Sequence, residues 1–323
     1  MRFPFLGCNH ALRGFTRDGL PKRRSGGNFL VSAGHQDVID ELQRREVLLR
    51  GWCDHSPMTA QLTVMTLNIW NVYRWDERRD AVVEWINEVA PDLLALQEVV
   101  RFDGLCQASW IAERTGMAAA FGAAGEYSGA EFGNAVLSRF PISGSSSQRL
   151  QEGSGDDVAR CIVTAQVDAC GRAVSFSSTH LSYRFDDGFV RERQVQQIAE
   201  FVSQPSGDFP PVVCGDFNAE PTSTEVRFLK GLHALDGRSF HLWDAFELVH
   251  PDQFGYTWSN ANTFAAEEQD PDRRIDYIFV GAHTADGAGR VLDARLVCDQ
   301  PRHGVWPSDH LGVAAVLSCP PRQ

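Results

Sequence analysis

The stretch Val212–Pro221, "VVCGDFNAEP", carries the reading of the fold. Two valines and a cysteine suit a strand that fills a core, and the glycine after them gives the backbone freedom for a sharp turn. An Asp and an Asn two positions apart then stand at the strand's mouth. Side chains two apart on extended backbone point to the same side, so Asp216 and Asn218 present a carboxylate and a carboxamide to one spot. Local turn chemistry offers a simpler account, since Asp and Asn favour turns for reasons of their own. Ten residues do not decide between the two.

Outward from that stretch the pattern recurs. Apolar strands are read at "QLTVMTLNIW", "LLALQEV", "GNAVLSRFPI", "RCIVTAQV", "AVSFSSTHL", "RIDYIFV", "RVLDARLV" and "HLGVAAVLS". "WDERRDAVVEWINEV" sets Ala81, Val82, Trp85, Ile86 and Val89 on one helical face, and "VRERQVQQIAEFV" repeats the spacing through Val195, Ile198, Ala199 and Val202. Further helices are expected from Leu105 to Arg114 and from about Ser223, the latter capped by Thr222. Gly144–Asp157 and Ala261–Asp272 read as mobile loops. Some strands neighbour each other and others are separated by helices. That order fits two sheets packed face to face with helices outside.

A chain of 323 residues, 43% of them apolar, holds one large domain or two small ones and can build a core. No apolar run approaches the roughly 18 residues of a membrane span. The opening "MRFPFLGCNHALRGFTRDGLPKRR" lacks the features of a secretory signal. Eight cysteines without paired spacing suit reduced thiols and a cytoplasmic location, and nothing in the spacing demands a Cys161–Cys170 bridge. Residues 1–57 hold nine Lys/Arg against six Asp/Glu, so the net charge of −12 leaves −15 on the remainder. Such an acidic body weighs against a broad nucleic-acid footprint. Apart from the helical spacing in "HQDVIDELQRREVLLRGW", residues 1–57 read as a poorly ordered extension, with a catalytic domain over 58–323.

Polar residues close or interrupt the apolar strands. Asn68 ends "VMTLN", Glu98 ends "LLALQE", Asn134 opens "NAVLS" and His180 ends "VSFSSTH". Asp276 interrupts "RIDYIFV", and Asp309-His310 precede "LGVAAVL". Each alone reads equally as a turn residue, a surface carboxylate or a packed histidine. Strands deliver their ends to a common edge, so the whole set converges on one crevice. Crowded carboxylates there need a cation. Oxygen donors such as Asn68, Glu98 and Asp309 suit Mg²⁺ or Mn²⁺ rather than zinc. Two histidines beside carboxylates or hydroxyls suit phosphate stabilisation and proton transfer. The chain carries no GxxxxGK[ST] loop, GxSxG elbow, HExxH helix or GxGxxG turn.

In order, "TLNIWN", "LLALQEV", "GNAVLSRFPI", "STHL", "GDFNAEP", "RRIDYIFV" and "SDHLGV" resemble the endonuclease/exonuclease/phosphatase superfamily over about residues 61–319. The resemblance implies an α/β fold, a four-layered α/β/β/α sandwich of two packed mixed sheets with flanking helices. It also implies Mg²⁺-dependent hydrolysis of a phosphoester by an activated water, with Mn²⁺ able to substitute. By position, Glu98 corresponds to the main metal ligand, with Asn68 beside it and Asp309 close to the cation or its waters. His310, oriented by Asp276, corresponds to the histidine on the scissile phosphate. Asp216 corresponds to the carboxylate that aligns or deprotonates the water. Asn218 and His180 correspond to groups that hold phosphate oxygens, His180 alternatively assisting the leaving oxygen. Whether Asp216 or the Asp276–His310 pair is the base stays open.

The substrate is expected to be a small or medium phosphoester, with a nuclease acting on DNA or RNA as the alternative. No aromatic-and-basic groove of the kind that tracks nucleic acid is visible in the sequence. Arg184, Arg191 and Arg193 follow the histidine; they either grip a second phosphate or headgroup, or line an exposed helix start. A catalytically inactive binding module on the same fold is the reading of another class. The presence of Glu98, Asp216 and His310 together opposes it.

Overall fold

Strand β1 (Gln61–Asn68) is buried along almost its whole length, as expected of a central strand. It leads through α1 (Trp75–Val89) to the parallel strand β2 (Leu93–Phe102). The computed structural model describes residues 60–127, 129–153, 159–203 and 207–322, so the expected N-terminal extension lies outside the described residues. The chain continues through β3 (Leu105–Cys106), α2 (Gln107–Thr115), β4 (Ala118–Tyr127), β5 (Ala130–Ser138), β6 (Ile142–Arg149), β7 (Cys161–Ala169) and β8 (Arg172–His180). Then come α3 (Gly188–Val202), β9 (Val212–Asp216), α4 (Thr224–Leu229), β10 (Trp243–Asp244), α5 (Ala245–Val249), β11 (Asp276–Val280), β12 (Val291–Val297) and β13 (Gly312–Ser318).

These strands form two mixed sheets. One has the order β12-β13-β1-β2-β5-β4 with β3 beside β2, the other β10-β11-β9-β8-β7-β6. Each sheet contains one parallel pair, β1–β2 or β8–β9, bridged by a helix because parallel neighbours need a crossover. Three apolar layers separate four structural layers. Leu62, Val64, Leu93 and Val136 meet Phe176, Val212, Cys214 and Ile278 between the sheets. Val82, Trp85, Ile86 and Ile111 seat α1 and α2 on the first sheet. Val195, Ile198, Val226 and Leu229 seat α3 and α4 on the second. The arrangement is the α/β sandwich expected.

Several local expectations change. "AAAFGAAGEY" forms β4, although Ala and Gly carry little strand signal. Small residues are needed there: a Cβ on Gly122 would lie 2.8 Å from Val163 Cβ of the facing sheet. The first half of the expected Gly144–Asp157 loop is the exposed edge strand β6, paired along β7. The Ala261–Asp272 loop is anchored, since Asn262 Nδ2 donates to the Ser308 and Asp309 carbonyls at 2.8 and 3.0 Å. Helix α2 starts at Gln107 because Leu105–Cys106 pairs with Arg101–Phe102, and Ser223 rather than Thr222 is the N-cap of α4. Cys161 and Cys170 are both free thiols. Among the described residues, no helix is long and apolar enough to cross a membrane.

Gly215 has a different role from the turn its sequence suggested. It lies inside β9, paired with Thr179 on one side and Tyr277 on the other. Its φ of +149° directs a Cβ to within 1.9 Å of the Thr179 carbonyl oxygen. Only glycine avoids that collision while keeping the strand in register. Gly215→Ala should therefore lower the unfolding free energy by about 3 kcal/mol in urea titration. A loss under about 1 kcal/mol would show that the strands can part without consequence.

Candidate active site

Register builds one half of the site. In the second sheet His180 lies opposite Asp216, and Asp216 lies opposite Asp276 on its other side. Residues at one level of adjacent strands project to the same face, so an imidazole and two carboxylates stand side by side. The first sheet supplies the other half. Asn68 ends β1, and Glu98 sits in β2 where the pairing with β5 shifts register between Leu96 and Val99. That bulge puts Glu98 at φ +58°, a backbone state costly for a non-glycine residue, and re-aims its side chain. Asp309 and His310 arrive on the segment just before β13.

Asp216 is the hub. Its Oδ2 lies 3.4 Å from His180 Nε2 and 3.7 Å from His310 Nε2, and accepts from Asn68 Nδ2 at 3.1 Å. Its Oδ1 accepts from the Asn218 N–H at 2.9 Å. His310 Nδ1 lies 2.9 Å from Asp276 Oδ2, and Trp258 packs edge-on against the same ring at 5.0 Å. The Thr257 hydroxyl oxygen accepts from the N–H groups of Ile275 and Asp276 and holds that strand end. Glu98 accepts from Asn68 Nδ2 at 3.2 Å and from Asn71 Nδ2 at 2.8 Å. Asn218 Nδ2 lies 3.0 Å from His180 Nε2. Eight of the nine polar residues singled out in the sequence thus gather at one end of the sandwich, around a cleft of about 550 Å³. Asn134 does not join them; it donates to the Cys161 carbonyl and ties β5 to β7.

The surroundings push the two histidines in opposite directions. A guanidinium can only donate, so Arg160, whose nitrogen lies 3.0 Å from His180 Nδ1, makes that atom an acceptor. Burial and the Arg160 charge push the pKa of His180 well below its usual value. Burial also opposes the charged form of His310, but the Asp276, Asp216 and Asp309 carboxylates outweigh it and raise its pKa to about 10. Burial raises Asp216 to about 7, helped by the charge of Asp276. Burial likewise raises Asp309 to about 7 against the pull of His310, with Glu98 adding repulsion.

That repulsion tests the site for a cation. Glu98 and Asp309 are hard oxygen donors that repel each other, and a divalent cation held by them would relieve that repulsion. Asn68 stands as a donor to Glu98 and Asp216, with its Oδ1 accepting from the Trp70 N–H at 3.0 Å. Ligand atoms of Asp216, Asp276 and His310 also lie within 4.8 Å of one another. A histidine held protonated by its carboxylate partners is a poor ligand, however, so Glu98 and Asp309 fit a cation better.

The sequence reading missed Arg78, which is fully buried. It donates to the carbonyls of Ile69 at 2.9 Å, Trp70 at 3.0 Å, Tyr73 at 2.6 Å and Pro307 at 2.7 Å. One guanidinium thereby fastens the loop after Asn68 to the loop before Asp309. The signal was present: Arg78 keeps helical step with Ala81, Val82 and Trp85 on the buried face of α1. Asn71, Arg160 and Ser308 were also missed, and no local pattern marks them.

Residues 65–310 match the model of the Endonuclease/Exonuclease/phosphatase family. The chain belongs to this family. Carbon catabolite repressor protein 4 homolog 3 of Arabidopsis thaliana is 28% identical over 270 residues, covering 71% of this chain and 57% of that protein. Nocturnin of Rattus norvegicus is 26% identical over 265 residues, covering 76% and 59%. The chain thus spans less than two thirds of the length of these curated relatives. The fold is shared with D. rerio TDP2 complexed with single strand DNA product, at TM-score 0.63 and 19% identity over 80% of this chain and 100% of that one. It is shared too with the human Nocturnin catalytic domain with bound sulfate anion, at TM-score 0.56 and 21% identity over 81% and 96%.

Removing the Arg78 fork should strand several buried carbonyls, each costing about 1–3 kcal/mol. Arg78→Met is expected to lower the unfolding free energy by about 4 kcal/mol in urea titration. A loss near zero would mean that the two loops hold together without it.

Proposed function

We propose that residues 58–323 form a divalent-cation-dependent hydrolase that cleaves a phosphoester by in-line attack of water, with Mg²⁺ as the natural ion. The observation that carries this reading is Asp216, a buried carboxylate set between His180 and His310 at 3.4 and 3.7 Å, beside the Glu98–Asp309 pair. Glu98 and Asp309 would hold the cation, which supplies charge neutralisation for the phosphate and the leaving oxygen. Asp216 accepts hydrogen bonds and faces the cleft, so it orients the water and takes its proton. His310, with Nδ1 engaged by Asp276, directs Nε2–H at the phosphoryl oxygens as a fixed positive donor. His180 and Asn218 add neutral donors to the same oxygens.

In this reading the Asp276–His310 pair stabilises charge and Asp216 is the base. A fold neighbour bound to its single strand DNA product and the intact set of polar groups both argue against an inactive binding module. A cytoplasmic location, expected from the unpaired cysteines, belongs to the same proposal.

Chelation should abolish hydrolysis, and Mg²⁺ or Mn²⁺ should restore it. Glu98→Gln should raise the Mg²⁺ concentration needed for half-maximal activity at least about tenfold and erase the Mg²⁺-dependent rise in thermal midpoint. Full activity in excess chelator would sink the metal assignment.

His310→Ala should cut kcat by about 10²-fold or more with little change in KM, because the contact forms chiefly in the transition state. Asp276→Asn should do similar damage, and the double variant scarcely more than His310→Ala alone. Steady-state kinetics of the three variants, with circular dichroism as the check on folding, read this directly. Losses that multiply would separate the two residues and refute the pairing.

A further inference from the structure

We propose that the mouth of this cleft is a subsite for an unpaired nucleotide. Its base stacks on Tyr183 and Phe185, and a phosphate next to the scissile one meets Arg184 and Arg273. This rests on the phosphoesterase reading and names its substrate class.

Tyr183 and Phe185 stand three and five residues after His180, line the cleft, and are 48% and 63% exposed. Each ring has a guanidinium on one face, Arg160 at 5.6 Å from the Tyr183 centroid and Arg273 at 4.4 Å from that of Phe185. The loop that carries them is braced from behind. Ser182 N–H donates to Gln194 at 2.9 Å, and the Ser182 hydroxyl donates to Asp187 at 2.9 Å. Arg191, buried in α3, donates to the carbonyls of Ser182 and Arg184 at 3.2 and 2.6 Å and pairs with Glu225 at 2.8 Å. Arg191 therefore neither grips a phosphate nor lines an exposed helix start. It is a positioning residue for the Tyr183–Phe185 loop.

A loop held this firmly while presenting two aromatic rings to solvent, at the entrance to a catalytic cleft, is a prepared surface. The cleft divides into two zones. One part of its lining is Glu98, Asp216 and Asp309, and another sets the buried Arg160 and Arg273 and the exposed Arg184, which pairs with Asp186 at 3.3 Å, against Glu268 and Asp270. Arg273 is 7% exposed and pairs with Asp270 at 3.2 Å, and its Nε has no hydrogen-bond partner among the described residues. A flat aromatic face backed by a guanidinium suits a nucleobase, and an adjoining guanidinium suits a phosphate.

The fold thus builds the aromatic-and-basic surface that the sequence did not display. Three separate segments, around Arg160, Tyr183 and Arg273, meet only in the folded chain. The base must be unpaired: about 550 Å³ admits one or two nucleotides, and a chain of net charge −12 offers no broad basic face to a duplex.

Two p-nitrophenyl diesters with Mg²⁺ and the full chain test this, methyl p-nitrophenyl phosphate and the p-nitrophenyl ester of thymidine 5′-monophosphate. The thymidine ester is expected to show a kcat/KM about 10²-fold higher, and Tyr183→Ala or Phe185→Ala to lower that ratio about tenfold, mainly through KM. Equal kcat/KM for both esters in the wild type overturns the proposal. So does a ratio unmoved in both variants. Calorimetric binding of thymidine 5′-monophosphate reads the subsite without turnover and should weaken about tenfold in Phe185→Ala. Nucleotide binding without cleavage of either ester supports the subsite and counts against the hydrolase reading alone.

A thymidine dinucleotide and a twelve-residue oligothymidylate, used as competitors, separate a free nucleotide from a strand end as the source. A blunt duplex should compete at least about tenfold more weakly, and equal competition refutes the need for an unpaired base. Binding to phosphatidylserine vesicles that Phe185→Ala abolishes, with nucleotide affinity unchanged, would reassign the rings to a membrane surface.

Discussion

Asp216 shares one level of the second sheet with His180 and Asp276, and it is almost completely buried there. A carboxylate in that position is costly unless its neighbours donate to it. The site meets the condition with the Asn68 amide and the Asn218 N–H, and the imidazoles of His180 and His310 stand 3.4 and 3.7 Å away. Three of those neighbours are in turn held from behind, His180 by Arg160, His310 by Asp276, and Asn68 by Ser308 on its carbonyl. The network borders the cleft, which is where a phosphoester and a cation would complete it.

The two sheets contribute unlike chemistry, and their spacing decides whether it combines. The first sheet brings Glu98 and Asp309, the second His180, Asp216 and the Asp276 that holds His310. Below the site, Gln97 Nε2 donates to Ser178 Oγ at 2.9 Å, and Ser178 Oγ donates to the Leu96 carbonyl at 2.9 Å, linking the sheets through an otherwise apolar core. Above it, Arg78 locks the loops that follow β1 and precede β13. Trp70, Asn71, Glu98 and Asn218 at the site all have left-handed backbone. Strain of this kind persists only where the surroundings over-determine it, and the braces supply that determination.

The cleft also joins two scales of recognition. Its floor is built from strand ends, whose positions the sheets fix within narrow limits. Its mouth is built from loops, whose positions depend on buttresses such as Arg191 and Asn262. Chemistry common to a family suits the floor, and discrimination among substrates suits the mouth.

The strands and their polar ends were legible in the sequence because both are local. An apolar run bounded by Asn, Glu, His or Asp declares itself within ten residues, and seven such runs in order identified the family. Helices α1 and α3 were legible for the same reason, through their apolar period. Strand β4 was not, since its alanines and glycines are chosen for clearance to the facing sheet rather than for strand propensity. Nor was the role of Gly215, which answers to a carbonyl on a strand more than thirty residues earlier. Most of all, the charge states of the two histidines were hidden. In the sequence His180 and His310 are alike, each at a strand boundary. Only folding puts a guanidinium behind one and a carboxylate behind the other, and those partners lie 20 and 34 residues away. Residue type and order determined which groups this protein owns; burial and cross-strand register, which act over distances that sequence does not display, decided which of them carry charge.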